Sequence, residues 1–296
     1  MSIAARDRLA SVAFLLPTLG LFGVFVVYPI VFNVQASFLD WNGVTEGTTV
    51  GLSNYSTLWQ DPIFRTTLRN SALWIPLTIL PQAAIGFLLA LALNGPLRGR
   101  SIYRALFFIP AVLSPVVIGI VWQRILDPST GVLAQASRET GLGWLQTGVL
   151  ADPQTAIFGV IAVNIWTWTG FSMLFYLAGL QLIDKNLLEA ATIDGANPWQ
   201  ATWRITLPLL RNTHLSLLML GVIGALKTFE LIYVLTQAGP NNATQMLPTY
   251  AFEQAFRLQS VGYAGAISVV LVVLAVGTSL GMTRVFGSGF LSGADR

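Results

Sequence analysis

Apolar residues in this chain gather into long blocks separated by short polar intervals. Stretches without Asp, Glu, Lys or Arg run over residues 9–39, 70–97, 105–123, 153–183 and 258–283, and a sixth block, 213–236, is interrupted by Lys227 and Glu230. A helix needs roughly 20 residues to cross a hydrocarbon layer, and it satisfies its own backbone hydrogen bonds there. The blocks therefore predict an all-α membrane protein with six transmembrane helices, at about 11–36, 70–94, 105–125, 155–181, 212–236 and 262–286. Pro17 and Pro29 predict kinks in the first span, and the third carries Pro110 and Pro115 with Ser114 between them. No soluble domain remains, so residues 1–296 read as a single transmembrane domain.

The polar intervals read as loops. Residues 37–69 hold Asp40, Trp41, Asn42, Asn54, Tyr55 and Trp59, a mixture suited to a water interface. A short basic turn carries Arg98, Arg100 and Arg104, residues 127–154 form a second polar loop, and Gly239-Pro240-Asn241-Asn242 turns the chain after the fifth span. Arg6 and Arg8 precede the first apolar run. The rival reading is a signal peptide cleaved after Val34-Gln35-Ala36, but the run is much longer than the usual apolar core of about 7–15 residues.

Composition narrows the function. The chain is 54% hydrophobic and 10% charged, against about 25% charged in soluble domains. With no cysteine and the single histidine His214, disulfides, thiolate sites and imidazole clusters are excluded, so no metal site is expected. The net charge of +3 belongs to span ends and not to a nucleic-acid surface. Arg6, Arg8, Arg98, Arg100, Arg104, Lys185, Arg204, Arg211, Arg284 and Arg296 share one side of the predicted topology; Arg65, Arg69, Arg138 and Arg257 lie opposite, among seven acids. Positive residues mark the cytoplasmic side, which places both termini and the 182–211 loop in the cytoplasm.

That loop has its own local logic. Asp184 is positioned to cap a helix through Leu187, Leu188, Ala190 and Ala191, and Gly195 to end it in a left-handed conformation. Asn197-Pro198 turns the chain, and Trp199–Leu207 predicts a second short helix stopped by Pro208. The result is a hairpin along the membrane face that presents Glu189 and Asp194. On physics alone, an ordinary interfacial hairpin explains it equally well.

The residues also form a pattern. Glu189-Ala190-Ala191, Gly195 four residues later, nine further residues and then Ile205-x-Leu207-Pro208 resemble the EAA loop of bacterial ABC importer permeases, with every fixed position at its spacing. The flanking Ala178-Gly179-Leu180-Gln181, Asp194-Gly195-Ala196, Leu235-Thr236 and Gly239-Pro240 are similar to the sugar branch of that family, of the maltose and glycerol-3-phosphate type, and to its first permease subunit. The resemblance covers nearly the whole chain. It implies a type I importer transmembrane domain in a bacterial or archaeal inner membrane, paired with a second permease subunit. It further implies two ATPase subunits, which hold ATP and Mg, and an extracytoplasmic solute-binding protein. Glu189, Ala190, Ala191, Asp194, Gly195, Ile205, Leu207 and Pro208 would form the ATPase-coupling element. The chain has no G-x-x-x-x-G-K-[ST] phosphate loop, so ATP hydrolysis is expected elsewhere, with no catalytic residues here.

Polar side chains within spans mark the candidate solute path, because each is costly in lipid. Asn164, Thr167, Trp168 and Phe171 fall at i, i+3, i+4 and i+7, on one helical stripe. An amide beside aromatic rings suits a sugar, although such stripes more often pack against another span. Lys227 and Glu230, three residues apart, are expected on one helical face, either lining the path or pairing to fix the span. Counting along the maltose-type permease without a gap brings Asn164 to a family sugar contact. The same count brings Thr228 to a polar contact in the fifth span, and Ala111 and Pro115, flanking Ser114, to the third. The side chains at 111, 115, 167, 168 and 228 depart from the maltose-type contacts, so the resemblance does not carry maltose as the solute.

Two other classes compete. An ion-coupled secondary transporter would use Lys227 and Glu230, but the internal repeat of broken helices common in that class is not visible in the sequence. An intramembrane enzyme lacks a candidate dyad. Gly277-x-x-x-Gly281 is a weak sign of close helix packing, and His214 reads as interfacial.

Overall fold

Prolines and local caps divide the apolar blocks more finely than hydropathy does. The computed structural model describes residues 14–141 and 148–291, with side chains as far as Arg284. Arg6, Arg8 and Arg296, which helped to orient the chain, and the first residues of the first predicted span lie outside the described residues.

Helix α1 spans Phe14–Ala36 and contains a widened five-residue turn, Gly23–Val27, closed by the Tyr28 N–H on the Gly23 carbonyl. Pro29 follows directly. A proline ring collides with the carbonyl four residues back and lacks a donor of its own, and one extra residue in the preceding turn lets the helix continue. A two-stranded antiparallel ladder, Leu39–Asp40 with Thr48–Thr49 (β1 and β2), and helix α2, Ser53–Gln60, come next. Helix α3 covers Pro62–Asn94. The interval 37–69, expected as a loop, is therefore largely ordered, and the second span begins earlier than predicted.

The third span is not a continuous helix. Helices α4, Arg100–Val112, and α5, Pro115–Ile125, meet at 98°. Leu113 and Ser114 are extended, the conformation a residue before proline prefers, and the Ser114 hydroxyl caps α5 by accepting the Val116 N–H at 3.3 Å. The predicted 127–154 loop contains a further helix, α6, Val132–Thr140. Helix α7, Ala156–Gln181, matches its predicted span closely. Then come α8, Lys185–Ile193, and α9, Pro198–Leu209, followed by α10, Arg211–Leu226, bent from α9 by 61°. Helix α11, Glu230–Thr236, is followed by α12, Leu247–Phe252, and α13, Val261–Leu291. Among the described residues, four helices are long and apolar enough to cross a membrane; counting each bent pair as one span makes six.

The described residues divide into two compact units, one holding those up to Phe64 with Tyr250–Val273, the other those from Arg65 to Thr249 and from Leu274 on. In the first, Asn54 donates to the Ser37 and Leu39 carbonyls, both at 2.9 Å, and ties α2 to the end of α1. Asp61 accepts from the hydroxyls of Tyr250 and, at 2.7 Å, Tyr263, and from the Ile63 N–H at 2.8 Å. Burial alone would raise its pKa, but these donors outweigh it and hold the carboxyl below its ordinary value.

In the second unit α7 is the buried axis. In its most apolar window 61% of residues are buried, against none for α1, as expected of a helix apolar all round that packs against protein and not lipid. One cluster on α7 gathers Val160 and Val163 with Trp74, Ile118, Ile232 and Met246. A second gathers Met173, Tyr176 and Leu177 with Phe87, Leu210 and Leu217. Gly170 lets α4 approach α7, since a Cβ there would fall 1.9 Å from the Phe107 carbonyl oxygen. The basic turn is mostly helical: Arg100 and Arg104 lie in α4, and Arg104 donates to the Leu93 carbonyl at 3.0 Å, a cation at the end of α3 where the helix dipole favours it. By contrast, a Cβ on Gly277 or Gly281 would meet nothing within 4 Å, so that glycine pair mediates no close packing among the described residues.

Candidate functional site

Two features of the second unit carry the chemistry expected from the sequence. The first is the hairpin α8–α9. Asp184 accepts the Asn186 N–H at 2.9 Å and starts α8. At its other end the Ala196 N–H reaches the Ala191 carbonyl at 2.9 Å and the Gly195 N–H the Thr192 carbonyl at 3.1 Å, the paired bonds of a Schellman cap. Gly195 has φ +83 with open space around its missing Cβ, so glycine is required here by backbone conformation and not by crowding. Asn197 and Gln200 then form a reciprocal capping box, at 2.8 and 3.0 Å, with Pro198 in the first turn. That box was legible in the sequence as Asn-x-x-Gln, but Asn197-Pro198 reads there only as a turn.

Pro208 does not stop the second helix. A widened turn, Thr202–Thr206, precedes it, as one precedes Pro29, and α9 continues through Pro208 to Leu209. The physical reason is the same relief of the proline ring. Glu189, Ala190, Asp194, Gly195 and Pro208 are exposed; Ile205 and Leu207 are half-buried and Ala191 is buried. The coupling residues named from the sequence thus share one hairpin, and Glu189 and Asp194 are accessible on it.

The hairpin is tied to the spans through His214. The Nε2 of His214 lies 3.1 Å from the Leu207 carbonyl oxygen, and its Nδ1 2.8 Å from the Tyr176 hydroxyl. An interfacial role alone does not describe this residue.

The second feature is a cavity of about 340 Å³ beside α7. Asn164, Thr167, Trp168 and Phe171 all line it, as do Pro115, Lys227, Thr228 and Glu230. Ala111 and Ser114 do not; Ser114 is spent on capping α5. The expectation that Lys227 and Glu230 share one helical face is overturned. Helix α10 ends at Leu226, with Lys227 as its cap, and α11 begins at Glu230, with Phe229 out of helical conformation between them. Both charges are exposed on the cavity wall at this break. Breaking the helix there gives them access to the cavity, where an unbroken span would hold them in lipid.

The polar groups of the cavity differ in their commitments. The Thr167 and Thr228 hydroxyls donate back to the carbonyls of Val163 and Gly224, at 2.8 and 3.0 Å. Asn164 is 8% exposed, and among the described residues its amide has no hydrogen-bond partner. The amide opens onto the cavity, where a solute can hydrogen-bond it. Trp168 and Phe171 meet edge to face at 5.9 Å beside it. The sequence reading missed the α3 wall: Trp74, Thr78 and Gln82, whose amide donates to the Ser172 hydroxyl at 2.9 Å. A lone glutamine within an apolar block was the available signal.

Comparison with known proteins fits this architecture. Residues 82–283 match the family model described as binding-protein-dependent transport system inner membrane component. The chain is 33% identical over 287 residues to the probable ABC transporter permease protein YurN of Bacillus subtilis, covering 96% of this chain and 98% of that one. It is 30% identical over 262 residues to the multiple sugar-binding transport system permease protein MsmF of Streptococcus mutans, covering 88% and 89%. Its fold is similar to a solved bacterial ABC transporter involved in the import of the acidic polysaccharide alginate, with a TM-score of 0.82, 28% identity, and 95% and 96% of the two chains covered. A second solved structure, of a bacterial alginate ABC transporter in complex with an alginate pentasaccharide-bound periplasmic protein, gives 0.80 at 27% identity, with 95% of each chain covered. These relationships set aside the ion-coupled and enzymatic alternatives, and the chain belongs to the binding-protein-dependent transport system inner membrane components, the permeases of ABC transporters.

Proposed function

We propose that this chain is one of two permease subunits of an ATP-driven importer for a sugar or sugar-like solute: an oligosaccharide, a disaccharide or a glycerol phosphate. It acts as one functional domain along its whole length and forms half of the translocation path. A second permease forms the other half, two ATPase subunits bind ATP and Mg, and an extracytoplasmic binding protein delivers the solute. The complex sits in a bacterial or archaeal inner membrane with both termini of this chain in the cytoplasm, in keeping with the basic residues on that side.

One observation carries this reading: Glu189 and Asp194 stand exposed on a hairpin held by a Schellman cap and a capping box, a rigid handle with no use in a self-sufficient channel. The ATPase pushes on α8, and the permease converts that push into alternating access. The solute class is supported by the unpaired Asn164 amide beside aromatic rings in the cavity, since sugar hydroxyls hydrogen-bond an amide while sugar C–H faces stack on rings.

The test is Gly195→Trp in the complete transporter. At φ +83 with open surroundings, the substitution strains the cap without clashing inside the chain, so the protein should still insert. ATP-dependent uptake should be lost, and the ATPase should no longer co-purify. Normal uptake by this variant would overturn the coupling role.

A further inference from the structure

His214 stands where three elements meet. It lies in the first turn of α10 and reaches back across the 61° bend to the last turn of α9. A carbonyl oxygen can only accept, so His214 Nε2 carries the proton and donates to Leu207. In the neutral ring this leaves Nδ1 as the acceptor for the Tyr176 hydroxyl. Each polar atom of the imidazole is thereby committed, one to the hairpin and one to α7. The Leu207 carbonyl, at the end of α9, accepts the Leu210 N–H at 3.2 Å and offers its second lone pair to the imidazole.

Tyr176 is itself fixed. It is 2% exposed, and its ring meets the edge of Phe87 on α3 at 5.4 Å and the His214 ring at 5.3 Å. One turn further along α7, Gly179 packs so closely that a Cβ there would fall 2.5 Å from the Thr213 hydroxyl. Asn164 lies on the same rigid helix, about 18 Å from Tyr176 at 1.5 Å of rise per residue. A displacement of the hairpin therefore has a direct hydrogen-bonded route to the helix that carries the cavity wall.

We propose that His214 is the positioning residue that transmits motion of the α8–α9 hairpin to α7, through the Leu207 carbonyl on one side and the Tyr176 hydroxyl on the other. The proposal rests on the hairpin being the ATPase contact. His214 touches no solute; it holds the α9–α10 bend in register with the cavity helix, so that the two move together.

The chain contains no cysteine, which allows a test without knowledge of the solute. Gly224→Cys places a single thiol on the cavity wall, at a position with nothing within 4 Å of its Cβ. The full transporter, with its partner permease and ATPase subunits, is labelled with a membrane-impermeant maleimide in the presence and absence of ATP and vanadate. In the Gly224→Cys parent, nucleotide should change the labelling rate. Adding Tyr176→Phe, which keeps the ring and its edge contacts, or His214→Ala should shrink that change about fivefold, the scale of one lost hydrogen bond. Nucleotide-free labelling and ATPase co-purification should stay as in the parent. The double variant should be no worse than either single one, because both break the same link. A full nucleotide response in Tyr176→Phe, or losses that add, would overturn the relay. A parent with no nucleotide response, or with no co-purifying ATPase, would overturn the coupling role of the hairpin itself.

Discussion

Asn164 and Gln82 line one cavity, yet they differ in what they leave available. Gln82 spends its donor on Ser172, whereas the Asn164 amide has no partner among the described residues. Truncating Asn164 should therefore remove a solute contact without unsettling the fold. Asn164→Ala is expected to lower transport roughly tenfold, the worth of about 1.4 kcal/mol from one hydrogen bond, while the ATPase still co-purifies; unchanged transport would remove Asn164 from the path. The stripe Asn164, Thr167, Trp168 and Phe171 was legible because helical spacing puts those residues on one face. Gln82, Trp74 and Thr78 were not singled out, because nothing local to α3 says which of its faces meets α7.

Helix boundaries show where local chemistry suffices and where it does not. The hairpin between α7 and α10 follows from its own caps: Asp184, Gly195 and Asn197 act within a few residues of themselves, so the sequence places them well. Sequence alone does not decide Pro208, because proline's collision with the preceding turn has two outcomes, ending the helix or widening the turn before it. The continuation of α9 into a bend tied down by His214 selects the second. The pairing of α4 with α7 depends on a single missing side chain. Gly170→Ala would drive a methyl group into the Phe107 carbonyl, and overpacking against backbone costs about 1–3 kcal/mol or more. Gly170→Ala should lower the thermal stability of the detergent-solubilised chain, while Gly277→Ala, with open space around it, should leave it unchanged. Equal stability of the two would refute the close approach of α4 to α7.

The topology of the chain in the membrane can be tested through its lack of cysteine. Lys185→Cys on the hairpin and Val44→Cys in the β1–β2 turn, both at exposed positions, should react with an impermeant maleimide from opposite sides: Lys185→Cys in inverted vesicles, Val44→Cys in intact cells. Labelling of both from one side would overturn the orientation drawn from the basic residues. The candidate site lies wholly in the second compact unit. The family match from residue 82 to 283 spans most of that unit.

The sequence by itself determined the number and rough extent of the apolar blocks, because charged groups are expelled from hydrocarbon wherever they occur. It also determined the hairpin, because caps and φ preferences act over neighbouring residues. Only the tertiary structure decided that α4 and α5 turn through 98°, that the fifth predicted span breaks between Lys227 and Glu230 with both charges on a cavity, and that His214 joins the hairpin to α7. The cause is the same in each case. A break, a cavity wall or a hydrogen bond between distant residues depends on which surfaces face each other, and residues tens of positions apart do not record that in their own spacing.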